Sequence, residues 1–360
     1  IRDHCVTGVQ TCALPISSGG LLPEFKGGTL TVDTPTINQA FTLNATSSNS
    51  IDAAGLDATF SGVFADSDPT TAGVISFQDS KGKQSAITLT AVNTYSGVTT
   101  VLPSGTLKLS GLGSISLSKA VLNNGLIDIS GVTRSASLNT LAGRGNLFLG
   151  DKDLDLNVGG SVQTSAAIDG SISGSGNVSI SGPGKQILRG ANSYTGTTTI
   201  KAGGQLSLVG STLSPTTVLT GGTLTGTGVI RGSLTNLGNV SPGGFGSGNS
   251  EQPIGTLTVD GDYGQIAPGT LRIDVDGSTS DLLQITGSGR VIILGGNLDI
   301  ESVPGTSITA GIAYTAVDVP KGTQGGEADL KTKLGVVGSA GYEFVRETDP
   351  RFRTLKGGEQ

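Results

Sequence analysis

The 360-residue sequence has no methionine and no tryptophan, and its two cysteines and single histidine, His4, Cys5 and Cys12, all fall near the start. From residue 18 onward there is no imidazole and no thiol. That excludes Ser-His-Asp and Cys-His nucleophiles there, transition-metal sites built on those ligands, and disulfides. Aromatic residues make up 4% and charged residues 14%, with a net charge of −6. A pI near 4.8 argues against a nucleic-acid partner, which a basic surface would serve. No run of about 18 apolar residues occurs, so no segment spans a membrane as a helix. Yet hydrophobic residues reach 35% and mean hydropathy is +0.08, which is not the profile of a disordered chain.

Residues 1–16, IRDHCVTGVQTCALPI, share nothing with the remainder of the chain. They alternate polar and apolar residues and lack the uninterrupted apolar stretch and small-residue cleavage site of a secretory signal. Cys5 and Cys12 with His4 amount to half a metal site, for which no further His or Cys is present. Back-translated, VTGVQTCALPI resembles a common sequencing adapter read in frame. Residues 1–17 are therefore expected to be non-native and to take no part in the fold.

What the chain has in abundance is glycine, 59 of 360 residues, against an average near ~7%. Between the glycines the sequence alternates with period two. In TLRIDVD, Leu271, Ile273 and Val275 fall on one face and Arg272, Asp274 and Asp276 on the other, which predicts an apolar column inside and three charged side chains in water. Short alternating strands cut by Gly, Asn-Gly and Asp-Gly indicate an all-β chain with many corners. Antiparallel sandwiches would need two or three domains joined by linkers, and no linker is visible. A parallel solenoid instead stacks each short strand on its copy in the next coil, ~4.8 Å away, in coils expected to run to ~20–24 residues.

Internal repetition favours the solenoid. Residues 89–111, LTAVNTYSGVTTVLPSGTLKLSG, and 188–210, LRGANSYTGTTTIKAGGQLSLVG, are identical at ten of 23 positions. The shared positions include Asn93/Asn192, Tyr95/Tyr194, Gly97/Gly196, Thr99/Thr198, Gly105/Gly204 and Leu107/Leu206. These Asn-x-Tyr-x-Gly-x-Thr…Gly-x-Leu-x-Leu units resemble the passenger-associated strand repeats of bacterial autotransporters. The stretch from GGTLTGTGVIRG through SDLLQITG to GGNLDI resembles the C-terminal part of such passengers. The resemblance implies a right-handed parallel β-helix over residues 18–320, displayed at the surface or outer membrane of a Gram-negative bacterium. It also implies a C-terminal outer-membrane translocator barrel as partner, which this sequence does not include. Residues 321–360 carry 13 of the 50 charged residues and do not match the pattern; EADLKTKL reads as helix within a cap, a junction or a misassembled end.

Other candidate sites reduce to structure. Asp274, Asp276 and Asp281 lack the acidic twelfth position of a calcium loop, where Ile285 stands. Asp153 and Asp155 share a strand face as exposed charge, without the groove a glycosidase pair needs. Tyr95 and Tyr194, fixed within a repeat, read as wall packing in preference to a sugar-stacking face. The glycine-rich GSGN and GTGVIRG lack the Gly-Lys-Ser/Thr of a phosphate loop and read as corners. The expected function is a non-enzymatic stalk or adhesin scaffold, without cofactor, metal or nucleic acid, that meets a ligand on a host or neighbouring cell. A β-helical polysaccharide-degrading enzyme and a purely structural module are the alternatives.

Overall fold

The alternation produces strands of two to seven residues. They are seen in a computed structural model that describes residues 22–45, 48–159, 164–244, 254–277, 279–303, 306 and 313–318, and the backbone of strands Gly335–Val337, Tyr342–Val345 and Phe352–Gly357. The described residues contain no helix. They divide into two compact units, one of residues 22–159 and 166–176, the other of residues 164–165 and those from 177 onward.

In the first unit one parallel ladder runs through Gly28–Thr31, Asn49–Asp52, Ile75–Gln78, Val98–Val101, Ala120–Asn123 and Leu141–Ala142. A second runs through Thr36–Ile37, Ala58–Phe60, Ala86–Leu89, Thr106–Gly111, Leu126–Val132, Asn146–Phe148 and Ile172–Ser173. A third face holds Glu24–Phe25, Phe41–Leu43 and Phe64–Asp66, and in a separate sheet Ser135–Asn139 pairs in parallel with Asp153–Asn157. Between these the chain is irregular, and backbone bonds such as Tyr95 N to Phe64 O (3.2 Å) and Ser114 N to Ala91 O (3.1 Å) hold it.

The second unit repeats the plan. Its ladders run through Val178–Ser181, Thr198–Ile200, Thr216–Val218, Leu234–Asn236, Tyr263–Gln265 and Val291–Ile293, and through Lys185–Leu188, Gln205–Leu208, Thr223–Gly226, Asn239–Pro242, Thr270–Asp276 and Asn297–Ser302. The third joins Ala191–Asn192, Ser211–Thr212, Val229–Ile230, Thr256–Val259, Leu282–Ile285 and Ala313–Asp318. Each unit is thus a parallel β-helix. Coil length varies more than expected: Thr198 pairs with Thr216 and Thr216 with Leu234, so two successive coils take only 18 residues each.

In-register stacking places like on like. Ala58, Ile87, Leu107, Ile127, Leu147 and Ile172 form one column, and each is 2% exposed or less. Burying a leucine or isoleucine so completely stabilises by about 1.5–3 kcal/mol. At the start of the first unit, phenylalanines take over: Phe41 stacks on Phe64 with ring centroids 5.4 Å apart, and Phe25 meets Phe41 edge-on at 5.2 Å.

On Thr270–Asp276 the expected inward set is buried, with Leu271, Ile273 and Val275 at 2%, 0% and 0% exposure. The expected wet set needs correction, because Asp274 is only 2% exposed. The Asp276-Gly277 step turns the chain back as an antiparallel strand, pairing Val275 with Ser280 and Asp276 with Thr279. This brings Asp281 over Asp274, and Arg272 donates from Nε to Asp274 Oδ1 at 2.8 Å. Beyond residue 320, Gly335–Val337 continues the second ladder, while Phe352–Gly357 pairs antiparallel with Ala313–Asp318 and with Tyr342–Val345. The helix expected at EADLKTKL and the segment 1–17, expected to be non-native, lie outside the described residues.

Candidate functional site: the repeated coil closure

The two sequence repeats occupy equivalent places in their units. Each leaves the third face, enters the first ladder at Val98–Val101 or Thr198–Ile200, and turns into the second at Thr106–Gly111 or Gln205–Leu208. Tyr95 and Tyr194 are 1% and 0% exposed, so neither presents a ring to a ligand. Burial pushes both phenols above the usual tyrosine range, against the hydrogen bonds that Thr99 and Thr198 make, and they remain neutral.

Their hydroxyls start a directed chain. Ser118 Oγ donates to the Gly97 carbonyl at 2.7 Å, and Thr99 Oγ1 donates to Ser118 Oγ at 3.0 Å. With that proton committed, the 2.6 Å contact between Tyr95 and Thr99 has the tyrosine as donor. In the second unit Tyr194 meets Thr198 at 2.5 Å, Thr198 donates to Ser214 Oγ at 2.8 Å, and Ser214 donates to the Pro215 carbonyl at 3.0 Å. Each chain ends on a backbone carbonyl, so the buried hydroxyls are satisfied and join one coil to the next.

The asparagines close the preceding corner. Asn93 Oδ1 accepts from Phe64 N at 2.9 Å, while its Nδ2 donates to the carbonyls of Ala91 and Ser114 at 3.1 and 3.0 Å. Asn192 Nδ2 donates to Gly190 O and Ser211 O, both at 3.1 Å. The glycines answer to close approach: a Cβ on Gly97 would lie 2.2 Å from Gly73 O, on Gly105 2.4 Å from Phe77 O, and on Gly204 2.5 Å from Ile180 O. Gly196 is half-buried at its corner. Leu107 and Leu206 enter the core at 0% and 3% exposure.

Sequence reasoning missed several residues of the same kind. Asn123 Nδ2 donates to Asn146 O at 2.9 Å and its Oδ1 accepts from Gly125 N; Asn236 Oδ1 accepts from Gly238 N at 3.1 Å. Their signal was Asn-x-Gly, the local turn in which the amide bonds its own backbone two residues on. A second tyrosine cluster, Tyr263 donating to Gln265 Oε1 at 2.6 Å and Gln265 Nε2 donating to Gly269 O at 3.1 Å and Asn297 O at 2.9 Å, carries no such signal. Asp153 and Asp155 face outward, flanked by buried Leu154 and Leu156.

Known proteins share these repeats. Residues 86–109 and 181–208 match the family model described as the passenger-associated-transport-repeat. Over 186 residues the chain is 32% identical to the adhesin BmaC autotransporter of Brucella suis biovar 1 (strain 1330). The match covers 48% of this chain and 5% of that relative, so the chain spans a small part of the relative's length. The repeats that close the coils are thus the ones the family model recognises, and over about half its length the chain is similar to an autotransporter adhesin.

Proposed function

We propose that this segment is the stalk and adhesin scaffold of a surface-exposed passenger, exported by an outer-membrane barrel that follows it in the complete protein. The carrying observation is the paired Asn-Tyr-Thr closure, whose polar groups are spent on joining coil to coil. A coil that meets only its neighbours folds progressively as it emerges from a pore, and the chain from residue 18 holds no cysteine to cross-link on the way. Its role is non-enzymatic, its place is the cell surface of a Gram-negative bacterium, and its target is carried by another cell.

The test is an epitope tag inserted between Asp68 and Thr71, at an exposed turn of the first unit, in the complete gene. Intact cells should bind antibody and lose the tag to added protease, and deletion of the passenger should reduce attachment to host or neighbouring cells. A tag reached only after lysis would overturn the surface assignment. Release of reducing ends from a polysaccharide by the purified passenger would overturn the non-enzymatic one.

A further inference from the structure

The second unit holds a charged cluster outside the two repeats. Asp281 is 0% exposed. Its Oδ1 accepts from Gly255 N of the preceding coil at 2.8 Å, its Oδ2 accepts from Asp274 N at 3.0 Å, and its own N–H donates to Asp274 O at 2.8 Å. One carboxyl thus ties the antiparallel pair Thr270–Asp276 and Thr279–Ser280 to the coil before it. Asp274 lies beside it, and Arg272 bridges Asp274 Oδ1 at 2.8 Å and Glu301 Oε2 at 2.7 Å. The register sets Arg272 against Asp299 and Asp274 against Glu301.

Among the described residues, the other titratable groups on the elements packed here are Asp276 on the same strand, and Tyr314 and Asp318 on Ala313–Asp318. Tyr314 donates its hydroxyl to Gly277 O. Asn239–Pro242, Thr256–Val259 and Leu282–Ile285 contribute none. Four carboxyls therefore gather about one guanidinium, two of them buried, and Arg272 alone does not balance all four as anions.

We propose that Arg272, Asp274, Asp281, Asp299 and Glu301 form a proton-operated latch, which seats the antiparallel pair against its coil in acid and loosens it as the medium turns alkaline. Burial first, and then the neighbouring charge of Asp274, push Asp281 up to about 8, against the two N–H donors and Arg272. Burial also raises Asp274 and Asp299. The seated state holds a proton that the opened state gives up above the ordinary carboxylate value of 3.8. Opening then becomes easier by up to about tenfold per pH unit until Asp281 ionises in place, and levels off above that.

Hydrogen exchange of the purified chain, corrected for intrinsic rates, reads the latch directly. Amides of residues 274–283 should lose at least about tenfold in protection between pH 5.5 and 7.5 and level off above 8, while residues 205–218 of the same unit stay flat. Asp281→Asn should abolish the slope whatever its baseline. Asp274→Asn, which removes the neighbouring charge and keeps an acceptor for Arg272, should move the levelling point to lower pH. Flat or rising protection of residues 274–283 in the unaltered chain overturns the latch, as does a levelling point that Asp274→Asn leaves in place.

Discussion

The two copies of the repeat spell the same letters with different physics. Leu107 stacks between Ile87 and Ile127, whereas Leu206 stacks between Gln186 and Leu224. Gly111 and Gly210 close the two copies, yet Gly111 has φ +62° and open space where a Cβ would stand, while a Cβ on Gly210 would lie 2.2 Å from Gly190 O and 2.3 Å from Arg189 O. One glycine is needed for its backbone angle and the other for its missing side chain. Identity between repeats therefore marks a place in the coil, and the neighbours decide what the residue does there.

The largest expected effect separates the leucines. Leu107→Ala opens a cavity walled by isoleucines and should cost about 2–5 kcal/mol; Leu206→Ala should fall at the lower end, because Gln186 below it is long and adaptable. Melting both variants by exchange in their own coils measures this, since a solenoid opens in segments and one midpoint averages over them. Equal losses would mean that the column neighbours do not matter.

Next come the glycines. Gly210→Ala drives a methyl into two backbone carbonyls and should cost about 3 kcal/mol, the upper range for overpacking. Gly111→Ala meets no atom and should cost only the left-handed backbone penalty, about 1–2 kcal/mol. Asparagine, which tolerates that region, should restore most of the loss at 111 and none at 210. Rescue at both positions would erase the distinction. Smaller again, Tyr95→Phe and Tyr194→Phe each remove the first donor of a hydroxyl chain and should cost about 0.5–1.5 kcal/mol in chemical denaturation, in the same range because each tyrosine donates to a threonine that donates on to a serine.

Legibility in the sequence followed the same division. Period-two alternation revealed the strands and which side of Thr270–Asp276 faces the core, since inward packing is a local property of each strand. It failed at Asp274, whose burial depends on a chain reversal. The reversal was signalled by Asp276-Gly277, a hairpin pair that counts as a mere corner when every glycine is read as one. The tyrosines were readable as wall residues from their fixed place in a repeat, but their partners Ser118 and Ser214 were not. Those serines lie 19 and 16 residues beyond Thr99 and Thr198, because the coils differ in length, and only the folded register brings them to one position.

The two units also differ in how each treats a buried carboxyl. Asp79, 1% exposed, accepts four backbone N–H bonds, from Gly55 and Lys81 at Oδ1 and from Lys83 and Ser85 at Oδ2, at 2.8–3.1 Å. Desolvation works to raise it, but the four donors outweigh burial and hold the carboxyl below the ordinary 3.8. Asp281 has two such donors and a carboxylate beside it, and burial prevails there. The signs are therefore opposite. Because the folded state favours the ionised form of Asp79, its contribution is present above 3.8 and is lost as the pH falls through its lowered value. Exchange of the amides of residues 80–85 should accordingly stay protected at pH 4.5 and loosen at pH 2.5, over the range in which residues 274–283 are held most firmly. Asp79→Asn, which exchanges two acceptor sites for an amide N–H₂ facing N–H donors, should loosen the same amides already at pH 7. If residues 80–85 keep their protection at pH 2.5, the four N–H donors are not what sets the sign, and the contrast between the two carboxylates fails.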